Sequence, residues 1–340
     1  MLRRAGKCGR RIVTRALPKS GFPTRVPNPI VTIPIAAYKT RPKHLAAAIE
    51  SALRQTYPDF EVIVSDDSPD QSLRALVDEF QDPRVRYRHN SPALGVARNH
   101  WSCFREASGE YIAVLNHDDL LLPTFLERLI APLNSDPNLA LAFCDHWVID
   151  ADGRALPEWS DTASAQWGRS QLSEGIHRPF SGLLVSQTIP MAMGTVFRRR
   201  LLPEALPEDA GPAYDLWLTY LLCREQYGAY YVRERLSSWR AHEGNLTSQG
   251  GLDWCRSTAE CWQAVARDPS LSSIHSSARR KGATAFYTCA LVSWRSGRRR
   301  DCAYYGWQSL RLLPNWKGLA VCCLPVVPPR FAARLGKSAS

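Results

Sequence analysis

The feature that most restricts this chain is an alternation of short apolar runs with amphipathic segments from Ile30 to Trp147. Ile30 to Ile35 reads as a strand. Arg41 to Arg54 then sets Leu45, Ala48, Ile49 and Ala52 at helical spacing. Glu61 to Val64 repeats the strand pattern, and Ser68-Pro69-Asp70-Gln71 reads as a capping box opening the next helix, with Pro at its first position. Val85 to Arg88, Tyr111 to Leu115 and Leu139 to Trp147 continue as strands, with helices predicted over Gly95 to Ala107 and Thr124 to Leu133. This order predicts a largely parallel sheet covered on both faces, with ligands beyond the carboxyl ends of its strands. Function is therefore sought after Ile35, Val64 and Leu115.

Ala151 to Gln187 shows little periodicity and reads as a long insertion near a site or a partly mobile segment. Order returns with a strand at Met193 to Phe197 and a helix at Tyr214 to Gln226. Beyond about Gln249 the patterns are helical, at Trp254 to Ala266, Ala278 to Trp294 and Asp301 to Leu312. Three regions are expected: a basic segment 1–29, an α/β domain 30–248 and a helical region 249–340.

Two acidic pairs, Asp66-Asp67 and Asp118-Asp119, follow apolar strands. Carboxylates at neighbouring strand ends can accept ribose hydroxyls and ligate a hard divalent cation that bridges phosphates. Asp at a strand end also serves simply as a turn or cap, and spacing alone favours that reading.

The surrounding residues add a resemblance. VTIPIAAY at 31–38 with Thr40-Arg41-Pro42, ALRQTYPDFE at 52–61, VSDDS at 64–68, GVARN at 95–99, SGEYI at 108–112 and NHDD at 116–119 with Pro123 occur in one order. Together they resemble family 2 glycosyltransferases. The likeness continues more loosely through Phe197-Arg198-Arg199, Tyr214 to Leu218, and Trp239 to His242 with Asn245 and Ser248. It implies a GT-A fold, an α/β Rossmann-like mixed, mainly parallel sheet with helices on both faces, followed by a C-terminal helical region. It also implies a nucleotide-diphosphate sugar donor, UDP favoured, a divalent metal (Mn2+ or Mg2+), and inversion at the anomeric carbon. The acceptor would be a glycan or lipid-linked saccharide in cell-surface polysaccharide synthesis.

Carried over by motif, Pro34, Tyr38 and Asp67 would cradle base and ribose, with Asp66 beside them. Ser68 is expected to cap its helix. Arg98 would face the diphosphate as a fixed cation. Asn116-His117-Asp118-Asp119 occupies the metal motif, which is usually acidic at its first position. Asn116 brings no charge, so coordination falls on Asp119 and on Asp118, the latter shared with ribose or donor sugar. His242 would approach the metal or diphosphate, whereas His117 is expected to have no role.

Inversion needs a carboxylate to take the acceptor proton as its hydroxyl attacks opposite the leaving nucleotide. Family members usually present it in a Glu-Asp pair near the helix that here begins at Tyr214, where the aligned residues are Pro212-Ala213. Asp215 is the choice for base, although an acid in a first helical turn also suits the helix dipole. Glu208 and Asp209 are the fallback candidates. The departures at Asn116 and Pro212-Ala213 keep open a noncatalytic nucleotide-sugar or glycan binding protein with a degenerate site.

Charge enters at this point because the formal net charge is +11, from 43 Lys+Arg and 32 Asp+Glu. Residues 1–29 hold eight bases and no acid, and residues 330–340 hold three bases and no acid, so the body between is neutral. A nucleic-acid footprint on a folded face is thereby disfavoured. Basic ends suit a peripheral contact with an anionic membrane, or simply solvation. Residues 1–29 lack the apolar core of a signal peptide, and Leu319 to Val327 falls short of the roughly 20 residues a membrane span needs. With 10 scattered Cys, reduced thiols and a cytoplasmic place on the inner membrane face are expected.

Overall fold

A computed structural model describes residues 30–205, 207, 210–242 and 251–323. In chain order the α/β part contains β1 (Val31–Ala37), α1 (Pro42–Leu53), β2 (Phe60–Asp66), α2 (Ser72–Asp78), β3 (Val85–His89), α3 (Val96–Glu106) and β4 (Tyr111–Ala113). Then follow β5 (Leu120–Leu121), α4 (Phe125–Ser135), β6 (Leu139–Ile149), α5 (Pro157–Gln166), β7 (Gly175–His177), α6 (Ser181–Ser186), β8 (Thr195–Arg198), α7 (Tyr214–Cys223) and β9 (Gly228–Arg240). Four helices close the described chain: α8 (Leu252–Val265), α9 (His275–Arg295), α10 (Arg299–Leu312) and α11 (Trp316–Cys323).

The described strands form one mixed sheet in the order β3-β2-β1-β4-β8-β6-β9-β5, with β7 also on β9. Strands β3, β2, β1 and β4 are parallel, and β8 is antiparallel to both β4 and β6. β1 and β2 are buried along their whole length, as strands covered on both faces must be. Alternation along β4 divides the core. Tyr111 and Ala113 pack with α1, α2 and α4, whereas Ile112 packs with Trp101, Phe104, Trp217 and Trp262 on the other face.

A polar node locks the amino ends of these strands. Thr32 Oγ1 donates to Glu61 Oε1 at 2.8 Å, Arg86 Nη2 donates to Glu61 Oε2 at 2.8 Å, and the Ser108 amide donates to Glu61 Oε1 at 2.8 Å. The Gly109 amide then donates to Thr32 Oγ1 at 3.0 Å, and a Cβ on Gly109 would lie 2.6 Å from the Thr32 nitrogen. Two recognisable motifs, around Glu61 and Ser108-Gly109, therefore hold strands together at the end opposite the candidate site. Arg198 acts similarly for β8, donating to Leu139 O, Glu110 Oε1 and the Tyr111 hydroxyl.

Three expectations need correction. The capping box is absent: α2 begins at Ser72, and Ser68 Oγ instead accepts from the Lys39 amide at 2.9 Å, tying the loop after β1 to the loop after β2. Residues 151–187 are ordered, with α5, β7 and α6. A polar anchor stands in for an apolar stripe there, because the buried Asp145 carboxylate accepts from Ser164 Oγ and Arg169 Nε, each at 2.7 Å. The 13-residue strand β9 was not anticipated, since Arg233-Glu234-Arg235 and register shifts against β6 interrupt its alternation. The run Leu319 to Val327 is helical to Cys323, and its remainder lies outside the described residues.

The helical region is bound to the α/β part. Ser257 Oγ on α8 accepts from the Ala213 amide and donates to Ala210 O, while Trp217 Nε1 donates to Ser257 O at 3.2 Å. α8 thus grips the segment that launches α7.

Breaking a buried, hydrogen-bonded ion pair by removing one partner costs about 3–5 kcal/mol. Glu61→Ala is therefore expected to lower stability by that order in denaturant unfolding, and an unchanged midpoint would remove the node from the account.

Candidate functional site

Because β1, β2 and β4 run parallel, their carboxyl ends present three loops side by side. On the first two, Asp67 accepts at Oδ1 from Asn90 Nδ2 (2.7 Å) and the Leu94 amide (3.1 Å), and at Oδ2 from the Gly95 amide (2.7 Å). Asp66 is fully buried, accepting from the Ser68 amide and the Tyr87 hydroxyl, each at 2.8 Å. Pro34 is buried inside β1, opposite Ile63, with its carbonyl accepting from the Leu115 amide. Tyr38 is 53% exposed. Arg98 is exposed on the first turn of α3 and forms no ion pair with a described residue. The nucleotide set thus divides into Tyr38 and Arg98, which face solvent, and Pro34, Asp66 and Asp67, which shape the loops beneath.

The third loop meets the end of β9. Asp119, 1% exposed, accepts from the Arg240 amide at Oδ1 and from Asn116 Nδ2 at Oδ2, each at 2.9 Å. Arg240 Nε in turn donates to Asp118 O at 2.7 Å. These contacts bring His242 to Asp118, with Nε2 2.9 Å from Oδ2, across 124 residues of sequence. Burial, then the neighbouring Asp118 charge, holds the Asp119 carboxyl well above the usual carboxylate range. Asn116 suits this setting, since its amide donates where an acid would repel.

Among the described residues no three His, Cys, Asp or Glu side chains form a cluster able to hold a metal. At the strand ends the Asp118 carboxylate and the His242 imidazole stand together as two possible donors. Asp119 lies behind them, each of its oxygens already accepting an N–H.

Sequence reasoning left several site residues without a role. Thr40 Oγ1 lies 2.7 Å from His117 Nδ1, joining the loop after β1 to the loop after β4, so His117 does have a structural partner. Burial lowers the His117 pKa. His44 on α1 sits with its ring 5.9 Å from that of His242. Tyr214 stacks on His100 at 4.1 Å, its hydroxyl 3.1 Å from His100 Nε2 and 3.5 Å from Asn116 Oδ1. No local pattern marks these residues, because each partner comes from a distant element.

Asp215, next to Tyr214, lies in the first turn of α7 and accepts from the Leu216 amide at 2.8 Å. Burial raises its pKa above the usual carboxylate value. Glu208, Asp209, Asn245 and Ser248 lie outside the described residues.

Residues 32–188 match the family model described as Glycosyl transferase family 2. The chain is 31% identical over 135 residues to "Uncharacterized glycosyltransferase MJ1057" of Methanocaldococcus jannaschii, covering 39% of this chain and 47% of that protein. It is 32% identical over 106 residues to "UDP-Glc:alpha-D-GlcNAc-diphosphoundecaprenol beta-1,3-glucosyltransferase WfgD" of Escherichia coli, covering 31% and 42% respectively. The chain thus spans less than half the length of either relative. The crystal structure of S. aureus TarS 1–349 in complex with UDP-GlcNAc superposes with a TM-score of 0.61 at 14% identity, covering 90% of this chain and 92% of that one. The fold is GT-A.

His100 supplies a test of the site's support. Burial lowers its pKa to about 4, so between about 6.5 and 4 the unfolded chain binds a proton that the folded chain refuses. Stability is expected to fall with acidification across that window, by up to about 1.4 kcal/mol per pH unit for one proton. In denaturant unfolding at several pH values, His100→Gln should flatten this slope by one proton; equal slopes would contradict the assignment.

Proposed function

Since residues 32–188 match the glycosyl transferase family 2 model, we propose that the protein is an inverting glycosyltransferase. It would move a sugar from a nucleotide-diphosphate donor, UDP favoured, to a glycan or lipid-linked acceptor in cell-surface polysaccharide synthesis. The observation that carries this reading is the approach of His242 to Asp118 at 2.9 Å, at the strand ends where a donor diphosphate would lie. The UDP preference and the lipid-linked acceptor draw support from the name of the Escherichia coli relative.

In this reading Tyr38 flanks the base, Asp67 orders the loop that receives the ribose, and Arg98 compensates diphosphate charge. A divalent ion suits the carboxylate and imidazole of Asp118 and His242, with Asp119 and Arg240 fixing their positions. When bound, it would offset the charge growing on the leaving diphosphate.

Asp215 is the base. Its raised pKa brings it nearer to working pH, which improves proton transfer from an acceptor hydroxyl. Because the ionised form acts, the rate should fall as pH drops through this raised value, placing the acid limb above the ordinary carboxylate range. Asp215→Asn is expected to lower kcat by about 100-fold or more. It should change Tm at neutral pH only slightly, because the partly buried charge is costly to desolvate while its place in the first helical turn favours it. Retained turnover in this variant, with loss in Glu208→Gln or Asp209→Asn, would move the base to the preceding loop. Donor binding without turnover in the unaltered protein would favour the degenerate, binding-only alternative.

The same proposal puts the protein on the cytoplasmic face of a membrane. No described helix is long and apolar enough to cross one. Tyr304 and Trp307 on α10 and Leu319 on α11 are each more than half exposed, and the exposed Arg298, Arg299 and Arg300 stand at the start of α10, a combination suited to peripheral contact. Trp307→Gln with Leu319→Gln is expected to reduce cosedimentation with phosphatidylglycerol vesicles; unchanged partitioning would end this part of the reading.

A further inference from the structure

A cavity of about 250 Å3 opens between α8, α9 and α10, and none of its lining residues belongs to the strand-end cluster. Arg267 just beyond α8, Arg279 on α9 and Arg311 on α10 converge on it, with the amides of Gln263 and Gln308 beside them and Leu312 as its apolar wall. No acidic side chain lines it. All three arginines are exposed, and none forms an ion pair with a described residue.

The recess is built by close helix packing. A Cβ on Gly282 would lie 2.8 Å from Leu312 Cδ1 and 3.3 Å from Trp262 Cβ, so glycine there lets α9 approach α8 and α10. Ser309 Oγ donating to Ala283 O at 2.8 Å holds the same crossing. Arg311 in the last turn of α10 also complements that helix's dipole. The carboxyl end of α8 favours Arg267 in the same way, but Arg279 lies near the amino end of α9 and gains nothing from its dipole, and three like charges at one recess favour an anion between them.

The geometry points to a binding site for a phosphate group, free or esterified to a small sugar. A phosphate monoester carries about −1.5 to −2 charges and three acceptor oxygens, matching three guanidinium forks from three helices. A single carboxylate would leave most of that charge uncompensated. The volume is more than a lone ion requires, and the two amides suit sugar hydroxyls. A recess between helices receives a protruding group, which favours a soluble ester over a flat bilayer.

Calorimetric titration of the full chain with inorganic phosphate and with a hexose phosphate, at constant ionic strength, tests this. The comparison is with Arg279→Gln/Arg311→Gln, whose exposed positions should shift Tm only slightly without ligand. One saturable site is expected, with Kd at least tenfold weaker in the variant. Tighter binding of the ester would identify a sugar phosphate as the occupant, and equal affinities would identify the phosphate group alone. Equal affinity in both proteins, or no binding, would overturn the proposal. Binding of phosphatidylglycerol vesicles without any response to the soluble ligands would also overturn it and assign the arginines to a membrane.

Discussion

The buried carboxylate of Asp119 joins the loop after β4 to the end of β9. Its oxygens receive the Arg240 amide and the Asn116 side chain, so the loop after β4 and the end of β9 cannot shift independently. That constraint carries Asp118 toward His242 and leaves both side chains partly accessible beside an inaccessible support. Arg240 reinforces it through main-chain oxygens on two segments, Asp118 and Asp150-Ala151. The edge proposed to bind the donor is thus fixed by the hydrogen bonds of Asp119 and Arg240.

The same division of labour extends through the chain. Glu61 and Arg198 fix strand order at the amino end of the sheet, which leaves the carboxyl end open for loops. α8 holds the start of α7 through Ser257, and with it the positions of Tyr214 and Asp215. The C-terminal helices therefore support the proposed catalytic residue as well as carrying their own core around Phe286, Cys289 and Tyr305.

Much of this was legible in the sequence because strands β1 to β4 and the helices between them are defined by local apolar spacing. The acidic pairs were legible too, since they directly follow such strands. Strand β9 was hidden by a charged stretch beside a bulge, and α5 to α6 by dependence on the Asp145 to Arg169 contact, which joins residues 24 positions apart. Ser68 shows a further limit. A capping pattern was present, yet the hydroxyl bonds instead to a loop 29 residues earlier. Asp66 resembled a ligand-binding acid, but both its oxygens are committed within the protein. Sequence pointed to the strand ends, while only the tertiary contacts separate side chains that are exposed there from those that hold the loops in place.

All of this bears on the donor site that Asp118 and His242 are proposed to assemble at those strand ends. Its most direct test is equilibrium binding of UDP and UDP-sugars, with and without Mn2+, to the unaltered protein and to Asp118→Asn/His242→Gln. One nucleotide site is expected, with an affinity that rises with Mn2+ in the unaltered protein and is insensitive to Mn2+ in the variant. Binding that ignores both the ion and the substitutions, or no nucleotide binding at all, would contradict it.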